Sequence, residues 1–395
     1  MVSPILSRLY TPEEFGLVAI YLGILSVINS LSTGTYEQAI MLPKKSNSAY
    51  NLFGLVISWV VIFSLMTLTI AFFAGEPLTL LSGNPDLRPW LYWLPLSVLF
   101  YGVFKATTFF ANRFKLYNKI ALSTISQNFT LNGTRLVIGW FPGQLNGLVV
   151  GQIAGQGIAA FYMIARLRRQ LLQTLSSITV KRMLVEGKKY SAYPKYNMIQ
   201  GVMSNLSSSL PVLLFSWGFS PHVAGLYGFA YMFVFKPVNL FSQSLQQVFQ
   251  QRIIEQFNQG ESVYKPIKQT VIGFALAGIL PFLALGILAT PVFEFVFSED
   301  YGSSGFYVSL LTPWLFMVFI TSHLSFLPEL FFRQRKAMFI NLTTLTLRAS
   351  ALFTGVFYQD VTLSLILFSG VSTLMLLYTL GWYLYLVKEH GSNGG

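Results

Sequence analysis

The 395-residue chain is 53% hydrophobic and only 10% charged, well below the roughly 25% charged residues of soluble domains. It contains no cysteine, which excludes disulfides and cysteine metal sites, and His222, His323 and His390 are too scattered to hold a metal. The net charge of +12 would suit nucleic acid, but the placement of the charges along the chain gives it a different meaning.

After a stub from Met1 to Tyr10, apolar segments predict helices over 13–34, 49–74, 89–112, 118–141, 145–168, 195–218, 222–247, 266–290, 303–327, 336–357 and 361–387. No charge falls between Lys45 and Glu76, Arg135 and Arg166, Lys268 and Glu294, or Asp360 and Lys388. Each interval is long enough for the roughly 20 residues that cross a hydrocarbon core. The expected fold class is therefore an all-α polytopic membrane protein with about 11–12 transmembrane helices.

The connections 35–48, 113–119, 166–195, 248–268 and 328–336, with the C-terminal tail, hold 20 of the 26 Lys and Arg residues. The opposite connections hold Arg8 and Arg88 beside Glu13, Glu14, Glu76, Asp86, Glu294, Glu299, Asp300 and Asp360. The positive-inside rule puts the first set, and both chain ends, in the cytoplasm. The basic excess thus reads as topology and attraction to anionic lipid, not as a nucleic-acid surface. Outer connections are short, Phe141-Pro142-Gly143-Gln144 being little more than a turn. Leu167, Leu171, Leu175 and Ile178, set among Arg166, Arg169, Lys181 and Arg182, predict an amphipathic helix on the inner membrane surface. The expected organisation is an N-terminal lobe at 1–168, a cytoplasmic linker at 169–194 and a C-terminal lobe at 195–395.

Thr11-Pro12-x-x-x-Gly16-Leu17 and Ser220-Pro221-x-x-x-Gly225-Leu226 repeat 209 residues apart, each opening an apolar segment with a hydroxyl N-cap and proline at the first helical position. Six predicted helices separate the two strings, an even number, so the halves are expected to be parallel repeats about an axis along the membrane normal. Phe109-Phe110-x-x-Arg113 and Phe331-Phe332-x-x-Arg335 add a second echo, each expected at the end of a helix. By this correspondence the first repeat is expected to lack 15–20 residues of its leading helix. Gly147, Gly151 and Gly155 have the small-xxx-small spacing of a close helix contact.

Ionisable groups inside a bilayer are costly and are by default functional candidates. Lys236 and Arg348 fall near the middle of their helices, roughly 18–21 Å deep at 1.5 Å per residue. Lys105 and Arg135 lie nearer the helix ends, where snorkelling is an alternative. Lys236, Asn239, Gln243, Gln246 and Gln250 form one stripe, and Asn341, Thr344 and Arg348 share a face. Other polar faces are Ser26, Ser30, Thr33 and Glu37; Asn128, Asn132 and Arg135; and Asn197, Gln200, Ser204 and Ser207. Single hydroxyls suit interhelical hydrogen bonds, but a Lys-Asn-Gln-Gln-Gln stripe suits a water-filled cavity. Lys236, Arg348, Arg8, Arg135 and Lys105 make that cavity cationic against Glu37 alone, which favours a phosphate or diphosphate substrate. A cation antiporter would instead need a midspan carboxylate, and a lipid-linked glycan polymerase or ligase would need an outer catalytic site. Glu13 and Glu14 read as first-turn acids favoured by the helix dipole, so no enzyme is expected. Pro237, directly after Lys236, is expected to open its helix.

Pro4-Ile5-Leu6-Ser7-Arg8-Leu9-Tyr10-Thr11-Pro12-Glu13-Glu14-Phe15-Gly16-Leu17 resembles the oligosaccharide (O-antigen type) flippases of bacterial polysaccharide biosynthesis. Tyr36-Glu37-Gln38-Ala39-Ile40-Met41-Leu42-Pro43, Ala224-Gly225-Leu226-Tyr227 and Pro313-Trp314-Leu315-Phe316 are similar to the same family, a branch of the superfamily of multidrug and toxin extruders and the peptidoglycan lipid flippase. The resemblance implies two six-helix lobes around a V-shaped, MATE-like cavity in the bacterial inner membrane. It implies transfer of an undecaprenyl-diphosphate-linked oligosaccharide from the cytoplasmic to the periplasmic leaflet, with H+ or Na+ as a candidate coupling ion and with no cofactor. Arg8 falls where relatives carry an arginine near the end of helix one. Relatives often place an arginine after the tyrosine matching Tyr231; here Met232 follows, and Lys236 is expected to supply the cation.

Overall fold

The computed structural model describes residues 3–141 and 146–390, so the expected turn at 142–144 lies outside the described residues. Among those described, every regular element is helical. The two compact units are Met1–Pro221 and His222–Gly395.

In the first unit a short α1 (Ser3–Leu9) precedes α2 (Pro12–Ser32). The N-terminus of α2 is closed by a capping box: Glu14 N–H donates to Thr11 Oγ1 at 3.4 Å, and Thr11 N–H donates to Glu14 Oε2 at 2.9 Å. Gly34 and Thr35, both in left-handed backbone, turn the chain into α3 (Tyr36–Ala39). The 37-residue α4 (Ser46–Ser82) ends at left-handed Gly83. α5 (Arg88–Leu91), α6 (Leu94–Arg113), α7 (Tyr117–Trp140), α8 (Gly147–Leu175), α9 (Val180–Lys189) and α10 (Met198–Gly218) follow. The core gathers Ala49, Leu52, Phe53, Val56, Phe110 and Met163 from α4, α6 and α8.

The glycine spacing of α8 works as expected against α7. A Cβ on Gly151 would stand 2.7 Å from Arg135 Cγ and from the Leu131 carbonyl oxygen, and one on Gly155 would stand 2.9 Å from the Gln127 carbonyl oxygen. Only glycine allows the two backbones this close.

Two features of the first unit differ from the sequence reading. Residues 166–175 continue α8 instead of starting a surface helix; Leu167 is buried in the α4–α6–α8 core, and Ile178 packs on Gly54. Leu167 and Leu171 are apolar because they face other helices. The separate helix is α9, whose Val180, Leu184 and Val185 are exposed beside Lys181, Arg182, Lys188 and Lys189. In addition, α10 packs with α2, whereas the sequence reading began the second lobe at 195. Ser26 and Ser209 share a hydroxyl hydrogen bond of 3.0 Å, and Asn205 Nδ2 donates to Ser30 Oγ at 2.6 Å.

The second unit runs α11 (Pro221–Ala230), a π turn (Tyr231–Phe235), α12 (Lys236–Asn258), α13 (Tyr264–Val296), α14 (Gly302–Thr321), α15 (Leu327–Leu330), α16 (Gln334–Phe357) and α17 (Val361–His390). Its core includes Ile253, Ile267, Leu324, Leu327, Trp382 and Val387. The echo at 331–335 does not end a helix as expected: α14 stops at Thr321, and Arg335 sits in the first turn of α16.

Eight helices among the described residues are long and apolar enough to cross a membrane. The three other predicted spans form as α7, the α11–α12 run and α16. Apolar side chains also cover outer surfaces: α13 exposes Ile272, Leu276, Leu280, Leu283, Ile287 and Phe295, as a lipid-facing helix must. The protein is an all-α polytopic membrane protein.

Candidate functional site

In the first unit Lys105 on α6 reaches the fully buried Glu37 of α3, Nζ to Oε1 at 2.9 Å, with the Tyr101 ring centre 5.6 Å away. The Glu37 Oε2 atom is buried without a hydrogen-bond partner among the described residues. The α3 segment is fastened from several sides. Arg113 donates to the carbonyls of Ile40, Met41 and Pro43 at 3.0, 3.4 and 2.7 Å. Tyr36 Oη donates to the Gly187 carbonyl at 3.1 Å, and burial pushes this phenol up, which keeps it a neutral donor.

Arg135 is among the largest fully buried side chains. Its Nε donates to the Leu148 carbonyl at 3.3 Å, and its own carbonyl accepts from Tyr10 Oη at 2.6 Å. It thus binds α7 to α8 and to the chain before α2. Asn128 and Asn132 donate to their own helix, at the Thr124 and Asn128 carbonyls, both at 2.9 Å. Asn197 Nδ2 donates to Gln38 Oε1 at 3.2 Å, while Gln200 and Arg8 are exposed.

In the second unit the π turn delivers Lys236. The Lys236 N–H donates to the Tyr231 carbonyl, five residues back, and Pro237 follows with no N–H of its own. The expected opening beside Lys236 therefore takes the form of a widened turn. Lys236 is exposed and Asn239 half-buried, while the side chain of Gln243 lies outside those described. Gln246 Nε2 donates to Ser325 Oγ at 3.0 Å.

Arg348 on α16 is packed between rings. Its guanidinium carbon lies 5.2 Å from the Trp314 ring centre and 5.3 Å from that of Phe368, and its Nε donates to Ser372 Oγ at 2.8 Å. Ring faces offset part of the desolvation cost of a cation at this depth. The neighbouring Asn341 is exposed, and Thr344 donates to the Ile340 carbonyl at 2.8 Å. The structure thus joins Lys105 to Glu37 and Arg348 to Trp314 and Phe368, whose apolar side chains carry no charge or polar pattern in the sequence.

A family model described as polysaccharide biosynthesis protein matches residues 5–305. The chain belongs to the polysaccharide biosynthesis protein family. Among solved structures it is similar to an inward-facing multidrug resistance MATE family transporter of the MOP superfamily, with TM-score 0.73 and 11% identity, covering 100% of this chain and 95% of that one. Two structures of the Vibrio cholerae MATE transporter VcmN also align. One is a mutant (TM-score 0.58, 16% identity, 98% and 92% coverage), and the other is a bent form (TM-score 0.51, 16% identity, 98% of each chain). No curated protein matches. At these identities the structures show the fold alone, that of the MATE transporters. Family and fold together make this chain a polytopic membrane protein of the polysaccharide biosynthesis family with the fold of the MATE transporters.

Proposed function

We propose that the protein is a flippase that carries an undecaprenyl-diphosphate-linked oligosaccharide from the cytoplasmic to the periplasmic leaflet of the bacterial inner membrane, for O-antigen, capsule or exopolysaccharide assembly. The observation that carries this reading is the match of a polysaccharide biosynthesis family to a chain with a transporter fold. A transporter in that chemistry needs a cargo that is membrane-bound and glycan-bearing, and such cargo carries its charge on the diphosphate. Lys236, exposed beside the π turn, and Arg348, set between rings, are the proposed diphosphate contacts, with Lys105 and Arg135 holding the first unit in shape. Ammonium and guanidinium groups bind phosphoryl oxygens through charge-assisted hydrogen bonds. H+ or Na+ is the proposed coupling ion, and the basic connections are proposed to face the cytoplasm.

The drug-antiporter reading needs a midspan carboxylate; Glu37, the buried acid of the first unit, is already paired with Lys105. Deleting the gene is expected to make lipid-linked oligosaccharide accumulate on the cytoplasmic leaflet. Restoring wild type should clear it, and restoring Lys236→Ala at equal membrane abundance should not. If deletion causes no accumulation, the flippase reading fails; full rescue by Lys236→Ala removes that lysine from the substrate contacts.

A further inference from the structure

The two Phe-Phe-x-x-Arg strings end up in different surroundings. In the first unit Arg113 is occupied by three backbone carbonyls. In the second, Arg335 instead borders an open groove of about 640 Å³, formed where the start of α16 meets the end of α17. Its lining includes Arg333, Arg335, Lys336, Phe339, Trp382 and Glu389.

Three cations therefore face one carboxylate, and the aromatic rings hold two of them. Lys336 Nζ lies 5.2 Å from the Trp382 ring centre, and the Arg335 guanidinium carbon lies 6.0 Å from that of Phe339. Trp382 is buried as part of the floor, while Phe339 is half exposed at the rim. Phe332, also at the rim, sits in left-handed backbone at φ 53 and is 87% exposed, held there by the Arg333 N–H donating to the Pro328 carbonyl at 2.7 Å. A large apolar ring turned outward is disfavoured in water and suits an apolar or interfacial medium.

The two helices that form the groove also expose apolar side chains. Met338 and Leu342 on α16 and Leu374, Leu377 and Tyr378 on α17 are all exposed. A ligand that satisfies both the cations and this belt has an anionic head and acyl tails. A free phosphate would use only the first feature, and an acidic peptide would leave the second in contact with water.

We propose that this groove is a binding site for the phosphate headgroup of an anionic glycerophospholipid, with Arg333, Arg335 and Lys336 as its donors. Basic pockets between helices at the membrane surface recognise lipid headgroups in this way. The site makes no use of Lys236 or Arg348 and stands apart from the transport reading.

The test places the full-length protein in phosphatidylcholine nanodiscs doped with phosphatidylglycerol and counts retained lipid by native mass spectrometry. Wild type is expected to retain phosphatidylglycerol over phosphatidylcholine by at least roughly tenfold, from about a factor of five for each basic group. The triple variant Arg333→Gln/Arg335→Gln/Lys336→Gln should lose that preference. Glu389→Gln, which removes the opposing charge without touching the donors, should increase it. The proposal is overturned if wild type shows no preference or the triple variant keeps it. It is equally overturned if a polyprenyl diphosphate displaces phosphatidylglycerol from wild type and binds the triple variant no better than phosphatidylcholine does, since the groove would then be a cargo site.

Discussion

Glu37 and Lys105 show how one contact can set the cost of a residue. Glu37 is fully buried and Lys105 is 28% exposed, so the carboxylate has lost its water while the ammonium retains some. Their 2.9 Å separation compensates the acid directly. Lys105→Ala would strand a buried negative charge, and it is expected to destabilise the protein by roughly 2–3 kcal/mol, a little under the usual penalty for splitting a fully buried pair. Adding Glu37→Gln should recover at least half of that loss, because the stranded charge is gone. Chemical unfolding of the two variants in detergent measures both quantities, and additive losses would show that the pair is not coupled. By sequence, Lys105 is one of the cavity cations and Glu37 their lone acid. Their pairing depends on the left-handed Gly34-Thr35 turn that points α3 toward α6, and spacing along a helix cannot show such a turn.

At the scale of elements, the π turn before Lys236 is the feature with consequences for movement. Pro237 cannot donate to the carbonyl four residues back, and its ring would crowd that carbonyl in a regular helix. Widening the preceding turn relieves the clash and leaves a local weak point in an otherwise continuous helical run from Pro221 to Asn258. Pro237→Ala is expected to restore regular α-helix there, to raise the thermal midpoint by a few degrees, and to slow amide exchange across 233–236. Unchanged exchange at those amides would mean that the π turn has another cause. The proline was legible in the sequence as an opening, but the form of that opening was not. Other elements show the same limit. The Asn128–Asn132–Arg135 face was legible as a face, yet both asparagines turn back to their own backbone, a choice of rotamer. The stripe from Leu167 to Ile178 was legible as apolar on one side, but the pattern is the same whether that side meets lipid or another helix.

For the whole molecule, the spans were legible because long apolar intervals with few or no charges have few alternatives, and all eleven appear as helices. Their direction across the membrane follows from a different argument. Of the 26 Lys and Arg residues, 20 lie on one set of connections and the chain end, while Glu294, Glu299, Asp300 and Asp360 lie on the other. Lysine and arginine resist translocation, so the basic set is expected to stay in the cytoplasm. The cysteine-free sequence allows a clean test, since a single introduced thiol is the only one present. Asp300 in the connection between α13 and α14, and Lys188 near the end of α9, are both exposed and can each carry that thiol. In intact spheroplasts a membrane-impermeant maleimide should label Asp300→Cys, and it should reach Lys188→Cys only after the membrane is opened. The reverse pattern would invert the molecule and overturn the orientation expected from its charges. Labelling of both in intact spheroplasts would place the two connections on the same side. That result is incompatible with the helix count between them, because α10, the α11–α12 run and α13 make three crossings from Lys188 to Asp300, and an odd number must change sides.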